Sequence, residues 1–234
     1  MGVDGLRIAA VALIALALPV FLVANGVRWV ALDDAFYLDE FALYDVDLTT
    51  GLPYDELRNV AGAFVSYFQS APGPLLVTAN FPSGPQPLLN EREVRHMEDV
   101  QGLIARIFAT WRFTFGALVV SSSVLLVVDH LTGSRSLAVA GVIGGAISVL
   151  VVGAVSLATL ADFRQLFLQF HFMSFSNDLW ILDPARDHLI QLFPQGFFSD
   201  AALRIGFQTV ALGIALLMAS GLGLVLPGTT PDPR

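Results

Sequence analysis

Four stretches of this chain run for most of a membrane's thickness without a charged side chain: Ile8 to Val27, Phe113 to Val128, Leu137 to Leu160 and Ile205 to Leu226. About 20 helical residues at ~1.5 Å rise cross a ~30 Å hydrocarbon core, and within lipid only a helix or a closed barrel satisfies its own backbone. The four stretches therefore read as transmembrane helices. The second is short, but Met97, Val100, Ile104, Ile107 and Trp111 recur upstream at helical spacing. That spacing predicts one long helix starting near Asn90 and entering the membrane around Arg112. The expected architecture is an all-α membrane protein, a single domain over 1–234, with spans at about 6–30, 105–128, 137–160 and 204–226. Between them lie two cap segments, 31–104 and 161–203, built of short helices with one small β-hairpin.

Composition agrees and removes whole classes of function. Charged residues make up 14% of the chain, where a soluble domain carries about 25%. A net charge of −8 without a basic stripe excludes nucleic-acid binding. The absence of cysteine removes disulfides and thiol nucleophiles, and all twelve basic residues are arginine, which removes lysine Schiff-base chemistry. The first span has a rival reading as a secretory signal, since Arg7 precedes it and Ala15-Leu16-Ala17 has a small-x-small form, cleaved near residue 18. The apolar run continues to Val30, broken only by Asn25 and Arg28, which favours a retained helix. Four spans place both termini on one side. The strongly acidic first cap segment, with Trp29 and Trp111 as belt residues, favours termini inside and the two long loops outside.

Within the first cap segment, the aromatic run Phe36 to Tyr44 followed by Thr49-Thr50-Gly51 reads as the hairpin. After Pro53, Leu57, Val60, Ala61, Phe64 and Phe68 define one face of an amphipathic helix that Pro72 and Pro74 stop. Phe81 to Pro87 reads as a turn region. Asn90 with Glu93 is a capping-box signature for the long second helix. In the second cap segment, eight of the eighteen phenylalanines fall between Phe163 and Phe198, which predicts a dry aromatic interior. Asp183-Pro184 reads as the cap and first residue of a short helix ended by Pro194.

Two histidines stand out. His96 shares a helix face with Glu93 and Asp99, which could orient it or hold its proton; alternatively Glu93 only completes the cap and His96 is an exposed polar residue. His171 lies among phenylalanines at a membrane boundary, where desolvation favours the neutral base, or where it is simply a packed core histidine. Asn177 and Asp178 follow within two turns, either to bind polar groups of a substrate or to satisfy loop backbone. His130 and His188 read as solvated. No Gly-x-Ser-x-Gly elbow, His-Glu-x-x-His motif or P-loop is present, and no close-spaced ligand pair suggests a metal. The spans hold almost no ionisable residue, which disfavours a transporter, and no histidine pair lies mid-bilayer for haem.

The run Leu89 to Val100, and the run Phe170 to Pro184 with Leu192-Phe193-Pro194, resemble the bacterial lipoprotein intramolecular transacylase family over nearly the whole chain. Gln101 departs from the Asp-Val-Lys expected after the first histidine. The resemblance implies that His96 and His171 are catalytic. Asp99, Asn177, Asp178, Trp180 and Phe170, in or beside the same two motifs, are the expected substrate contacts. The implied reaction moves the sn-2 acyl chain of an S-diacylglyceryl-cysteine lipoprotein to that cysteine's own α-amine, giving a lyso-form lipoprotein. Such an ester-to-amide shift is downhill and needs no cofactor, metal or enzyme nucleophile. Its partners are membrane lipids and the diacylated lipoprotein. Greater desolvation points to His171 as the base, and acidic neighbours point to His96 as the acid. A non-catalytic lipid- or partner-binding cap protein is the competing reading.

Overall fold

The computed structural model describes residues 2–128 and 132–225. Among these it contains eight helices and one two-stranded antiparallel sheet. In chain order they are α1 (Val3–Ala31), α2 (Asp34–Leu43), α3 (Val46–Thr50), α4 (Tyr54–Gln69), β1 (Thr78–Phe81), β2 (Gly84–Pro87), α5 (Glu91–Val128), α6 (Gly133–Ser174), α7 (His188–Leu192) and α8 (Gln195–Val225). Helices α1, α5, α6 and α8 are long and apolar enough to cross a membrane. His130 and the tail Pro227–Arg234 lie outside the described residues.

The chain divides into two compact units. The first comprises Met1–Gly26, Ala109–Ser156 and Gly206–Arg234. Few of its side chains are buried, and Leu16, Val120, Leu150 and Met218 are all more than 60% exposed, an apolar outer surface suited to lipid rather than water. Small residues let α6 and α8 approach closely. A Cβ added at Gly213 would lie 3.1–3.3 Å from Val149, Ser148 and the Gly145 carbonyl, and Gly206 and Gly141 face Ser156 and Ser220 still more closely. Such seams are how helices associate where lipid removes the hydrophobic drive. Asn25, the polar interruption of the first span, accepts a 3.1 Å hydrogen bond from the Trp111 indole.

The second unit, Val27–Phe108 with Leu157–Ile205, holds the main core. Phe36, Tyr37, Phe41, Phe64, Phe193 and Phe197 form a network of edge and tilted ring pairs 4.8–6.4 Å apart. Helix α4 buries Leu57, Val60, Ala61 and Phe64 as its pattern predicts, with Tyr67 in place of Phe68.

Three local expectations change. The run Phe36 to Tyr44 is helix α2, not a strand of a hairpin: Asp33 caps it by accepting from the Phe36 N–H, and Phe36, Tyr37, Glu40 and Phe41 share its buried face. The hairpin lies instead at β1 and β2, in the segment whose prolines suggested only a turn. Pro85 and Pro87 are tolerated because a two-stranded sheet is all edge, and Gly84 takes φ +117°, a conformation that L side chains rarely adopt. Asp183-Pro184 forms a turn closed by bonds from Arg186 and Asp187 N–H to the Asp183 carbonyl, and the short helix starts later, after Asp187. Further, α8 begins at Gln195, well before residue 204, and α6 is interrupted at Asp162 (φ −157°, ψ 82°), whose carboxylate accepts from the Gln165 N–H and restarts the helix.

Candidate active site

The N-terminus of α5 is fastened by a reciprocal cap. Asn90 N–H donates to Glu93 Oε2 at 2.7 Å, and Glu93 N–H donates to Asn90 Oδ1 at 3.1 Å. The other Glu93 oxygen accepts from Leu189 N–H at 2.6 Å, so this fully buried carboxylate joins the starts of α5 and α7. Burial raises its pKa against the pull of those N–H donors. One turn on, His96 projects into the same unit.

His96 and His171 lie side by side, ring centroids 6.4 Å apart and planes 30° apart. Both are buried, at 6% and 7% exposure. Around His171 stand Phe167 at 4.3 Å, Trp180 at 4.9 Å, Phe170 at 5.4 Å and Phe175 at 5.6 Å; Phe175 also meets the His96 ring edge-on at 5.1 Å. His171 Nδ1 lies 2.7 Å from the Phe167 carbonyl, one turn back. A carbonyl only accepts, so Nδ1 carries the hydrogen and neutral His171 keeps its lone pair on Nε2. Burial lowers the His171 pKa, with the Phe167 carbonyl opposing. Burial, with the neighbouring His171 and Arg92, pushes His96 down to about 4, against the pull of Asp99. His96 Nδ1 is buried without a hydrogen-bond partner.

That reverses one expectation. His96 is not an imidazolium supported by acidic neighbours: Glu93 is committed to the Asn90 and Leu189 N–H groups, and burial outweighs Asp99. Nor is His171 the more desolvated of the two. His188, expected to be solvated, is half-buried with its ring 5.3 Å from Phe81.

The remaining expected residues surround this pair. Asn177 Nδ2 donates to Asp99 Oδ2 at 2.9 Å, its Oδ1 accepts from Leu179 N–H, and its carbonyl takes the Trp180 indole N–H at 2.9 Å. Asn177 thereby fixes the loop that presses Trp180 onto His171. The Asp178 carboxylate is exposed, and Phe170 is 45% exposed beside His171. Sequence reasoning missed Arg92, which donates to the Asp178 and Leu179 carbonyls and holds that loop against α5. Its only signal was its position one turn before His96. Gln101, the motif departure, is buried and bonds Gly73 N–H and the Tyr67 carbonyl, tying down the segment after α4. Among the described residues, no group of three or more His, Asp or Glu could hold a metal ion.

The arrangement offers two buried imidazoles among aromatic rings, both with pKa values lowered by burial. One is a base of defined tautomer; the other can donate an N–H bond without carrying charge. The family model described as lipoprotein intramolecular transacylase Lit matches residues 12–198. An in meso structure of the membrane-integral lipoprotein intramolecular transacylase Lit from Bacillus cereus superposes with a TM-score of 0.79 at 18% identity, over 94% of this chain and 97% of that one. Two variants of that protein, with a histidine replaced by arginine or by alanine, superpose with TM-scores of 0.73 and 0.72. No protein of curated function matches the sequence. The family match spans both histidines and most of the chain, and the fold agrees with a solved member: the chain belongs to the lipoprotein intramolecular transacylases, membrane-integral acyltransferases.

Proposed function

We propose that this protein moves the sn-2 acyl chain of an S-diacylglyceryl-cysteine lipoprotein to the α-amine of the same cysteine, with His171 as proton carrier and His96 as electrophile. The observation that carries this reading is the pair of buried imidazoles 6.4 Å apart, one with its tautomer set by the Phe167 carbonyl. The neutral amine attacks the ester carbonyl and His171 Nε2 takes its proton. The carbon–oxygen bond to the glyceryl sn-2 position then breaks, and the proton returns from His171 to that oxygen. A His96 N–H holds the carbonyl oxygen while it bears charge and keeps its own proton throughout. Proton transfer of this kind contributes roughly 10²–10⁴-fold. Orientation of amine and ester within one molecule contributes up to about 7–11 kcal/mol. Trp180 and Phe170 wall the reacting groups, while Asp178, and Asp99 through Asn177, meet polar parts of the substrate.

In this reading residues 1–234 form one membrane domain with spans near 6–30, 105–128, 137–160 and 204–226. The segments 31–104 and 161–203 lie on the extracytoplasmic side of the cytoplasmic membrane, where diacylated lipoproteins are met.

The test is expression in a bacterial host whose lipoproteins are diacylated, with mass spectrometry of a reporter lipoprotein's N-terminal peptide. The wild type is expected to give N-acylated lyso product. His171→Asn, whose amide can still donate to the Phe167 carbonyl, and His96→Ala are expected to leave the reporter's two chains on glycerol. Full conversion by both variants would overturn the assignment, and would leave a lipid- or partner-binding role as the better reading.

A further inference from the structure

Arg92 stands beside the histidine pair, yet the proposed proton transfers do not use it. It lies half-buried on α5, one turn before His96, and its guanidinium donates to two successive backbone carbonyls, that of Asp178 and, from Nε at 3.3 Å, that of Leu179. The Asp178 carbonyl also accepts from Ile181 N–H at 3.1 Å, which closes the turn that carries Trp180. Farther along the same face of α5, Asp99 accepts from Asn177 Nδ2 at 2.9 Å. Residues 92, 96 and 99 are spaced i, i+4 and i+7, so the two ties lie about 10 Å apart along the helix with His96 between them. Ser176, Asn177 and Asp178 are exposed, and among the described residues the hydrogen bonds from 176–181 to another element run only to Arg92 and Asp99. Trp180, 4.9 Å from His171, is carried by this thinly held loop. A guanidinium presents its N–H groups in a fixed fork and can grip both carbonyls at once, whereas an ammonium is a point donor.

We propose that Arg92 is a positioning residue of the active site: its grip on the Asp178 and Leu179 carbonyls sets Trp180 against His171 and so fixes the base's orientation and its shelter from water. Its consequence for catalysis rests on the transacylation reading, in which His171 carries the proton. Arg92 acts through the loop. Releasing the loop exposes His171 and removes part of the burial that lowers its pKa. Loss of the Arg92 charge has the same sign at the facing imidazole, since that charge opposes protonation of His96 while Asp99 favours it.

The test uses the full chain in detergent with an S-diacylglyceryl-cysteine peptide as substrate, the N-acyl product being read by mass spectrometry. Arg92→Gln is expected to lower kcat about 10–100-fold, the scale of an ångström's misplacement, with KM held within about threefold. The acidic limb of its kcat/KM profile is expected to move up by at least about half a pH unit. Arg92→Lys, which keeps the charge and reaches one carbonyl, is expected to show both changes at smaller size. In a Trp29→Phe/Trp111→Phe background Trp180 alone fluoresces, and Arg92→Gln is expected to raise its quenching by acrylamide at least roughly twofold as the loop opens locally. Unchanged Trp180 quenching, an acidic limb that stays in place, or a loss carried wholly by KM would each overturn the proposal. A wild type that makes no N-acyl product would overturn the transacylation reading instead, and the quenching comparison would still decide whether Arg92 holds Trp180.

Discussion

Glu93 supplies the most direct measure of how the second unit is held together. Its carboxylate is 0% exposed and accepts from two backbone N–H groups, Asn90 at 2.7 Å and Leu189 at 2.6 Å. In Glu93→Ala the Leu189 N–H stays buried without an acceptor, at about 1–3 kcal/mol, and the part-buried Asn90 N–H loses a bond of about 1 kcal/mol, or about 2–4 kcal/mol together. Burial also raises the Glu93 pKa, so the wild type already bears a desolvation cost that the variant escapes, which places the loss in the lower half of that range. For chains of this length 1 kcal/mol shifts the melting temperature by roughly 2–4 °C, so a fall of at least about 4 °C is expected. Glu93→Gln retains one acceptor but turns an amide N–H toward the second donor, and it should fall between the two. The measurement is thermal unfolding in detergent followed by tryptophan fluorescence, with Trp29 and Trp180 reporting on this unit. If Glu93→Ala melts within about 1 °C of the wild type, the two bonds contribute nothing and the reasoning fails.

Two further predictions concern pH. The folded His96 pKa, about 4, lies below its ordinary value of 6.5, so on acidification the unfolded chain takes up the proton first and stability is lost as pH falls from about 6.5 to about 4. A histidine Cε1 titration by NMR, assigned through His96→Gln, should show His96 neutral at pH 6; a midpoint at 6.5 or above would refute the burial argument. Glu40 behaves oppositely. Burial beside Asp200 and Asp39 raises it from 4.5 to about 7, against the pull of Arg204. Its stabilising contribution is complete below pH 4.5 and is lost as pH rises to 7, by about 3 kcal/mol at ~1.36 kcal/mol per unit. Glu40→Gln, which can still donate to Asp200, should melt higher than the wild type at pH 8 and have a flatter melting profile between pH 5 and 8. An unchanged profile would count against it.

The long helices were legible because charge-free runs of that length have one stable form in lipid, and the α5 start because Asn90 and Glu93 are three residues apart. The α4 face was legible from its period alone. Where strand propensity misled, tertiary burial decided: Phe36, Tyr37 and Phe41 are good strand formers that become helical because one helix face can bury all three, and Asp33 caps it. The candidate site was legible as two histidines in motifs, but their protonation was not. His96 was read from the residues one turn away, whereas its pKa is set by burial and by His171, 75 positions on. The loop clamp of Arg92 on the Asp178 and Leu179 carbonyls is likewise a backbone contact across 86–87 positions, which no spacing rule encodes.

The four rings set around His171 within 5.6 Å bear on what the enzyme avoids as much as on what it makes. Under the proposed reaction, an ester held beside the His171 imidazole has two competing nucleophiles, the neighbouring amine and water, and attack by water would free a fatty acid and leave the lipoprotein with one chain. In that reading Phe167, Phe170, Phe175 and Trp180, which crowd the imidazole, disfavour water beside the base and favour the nucleophile the substrate brings with it. The partition between transfer and hydrolysis, read as the ratio of lyso-lipoprotein to released fatty acid, is then a property of the aromatic wall rather than of the histidines. Trimming Phe175 to alanine is expected to shift that ratio toward fatty acid.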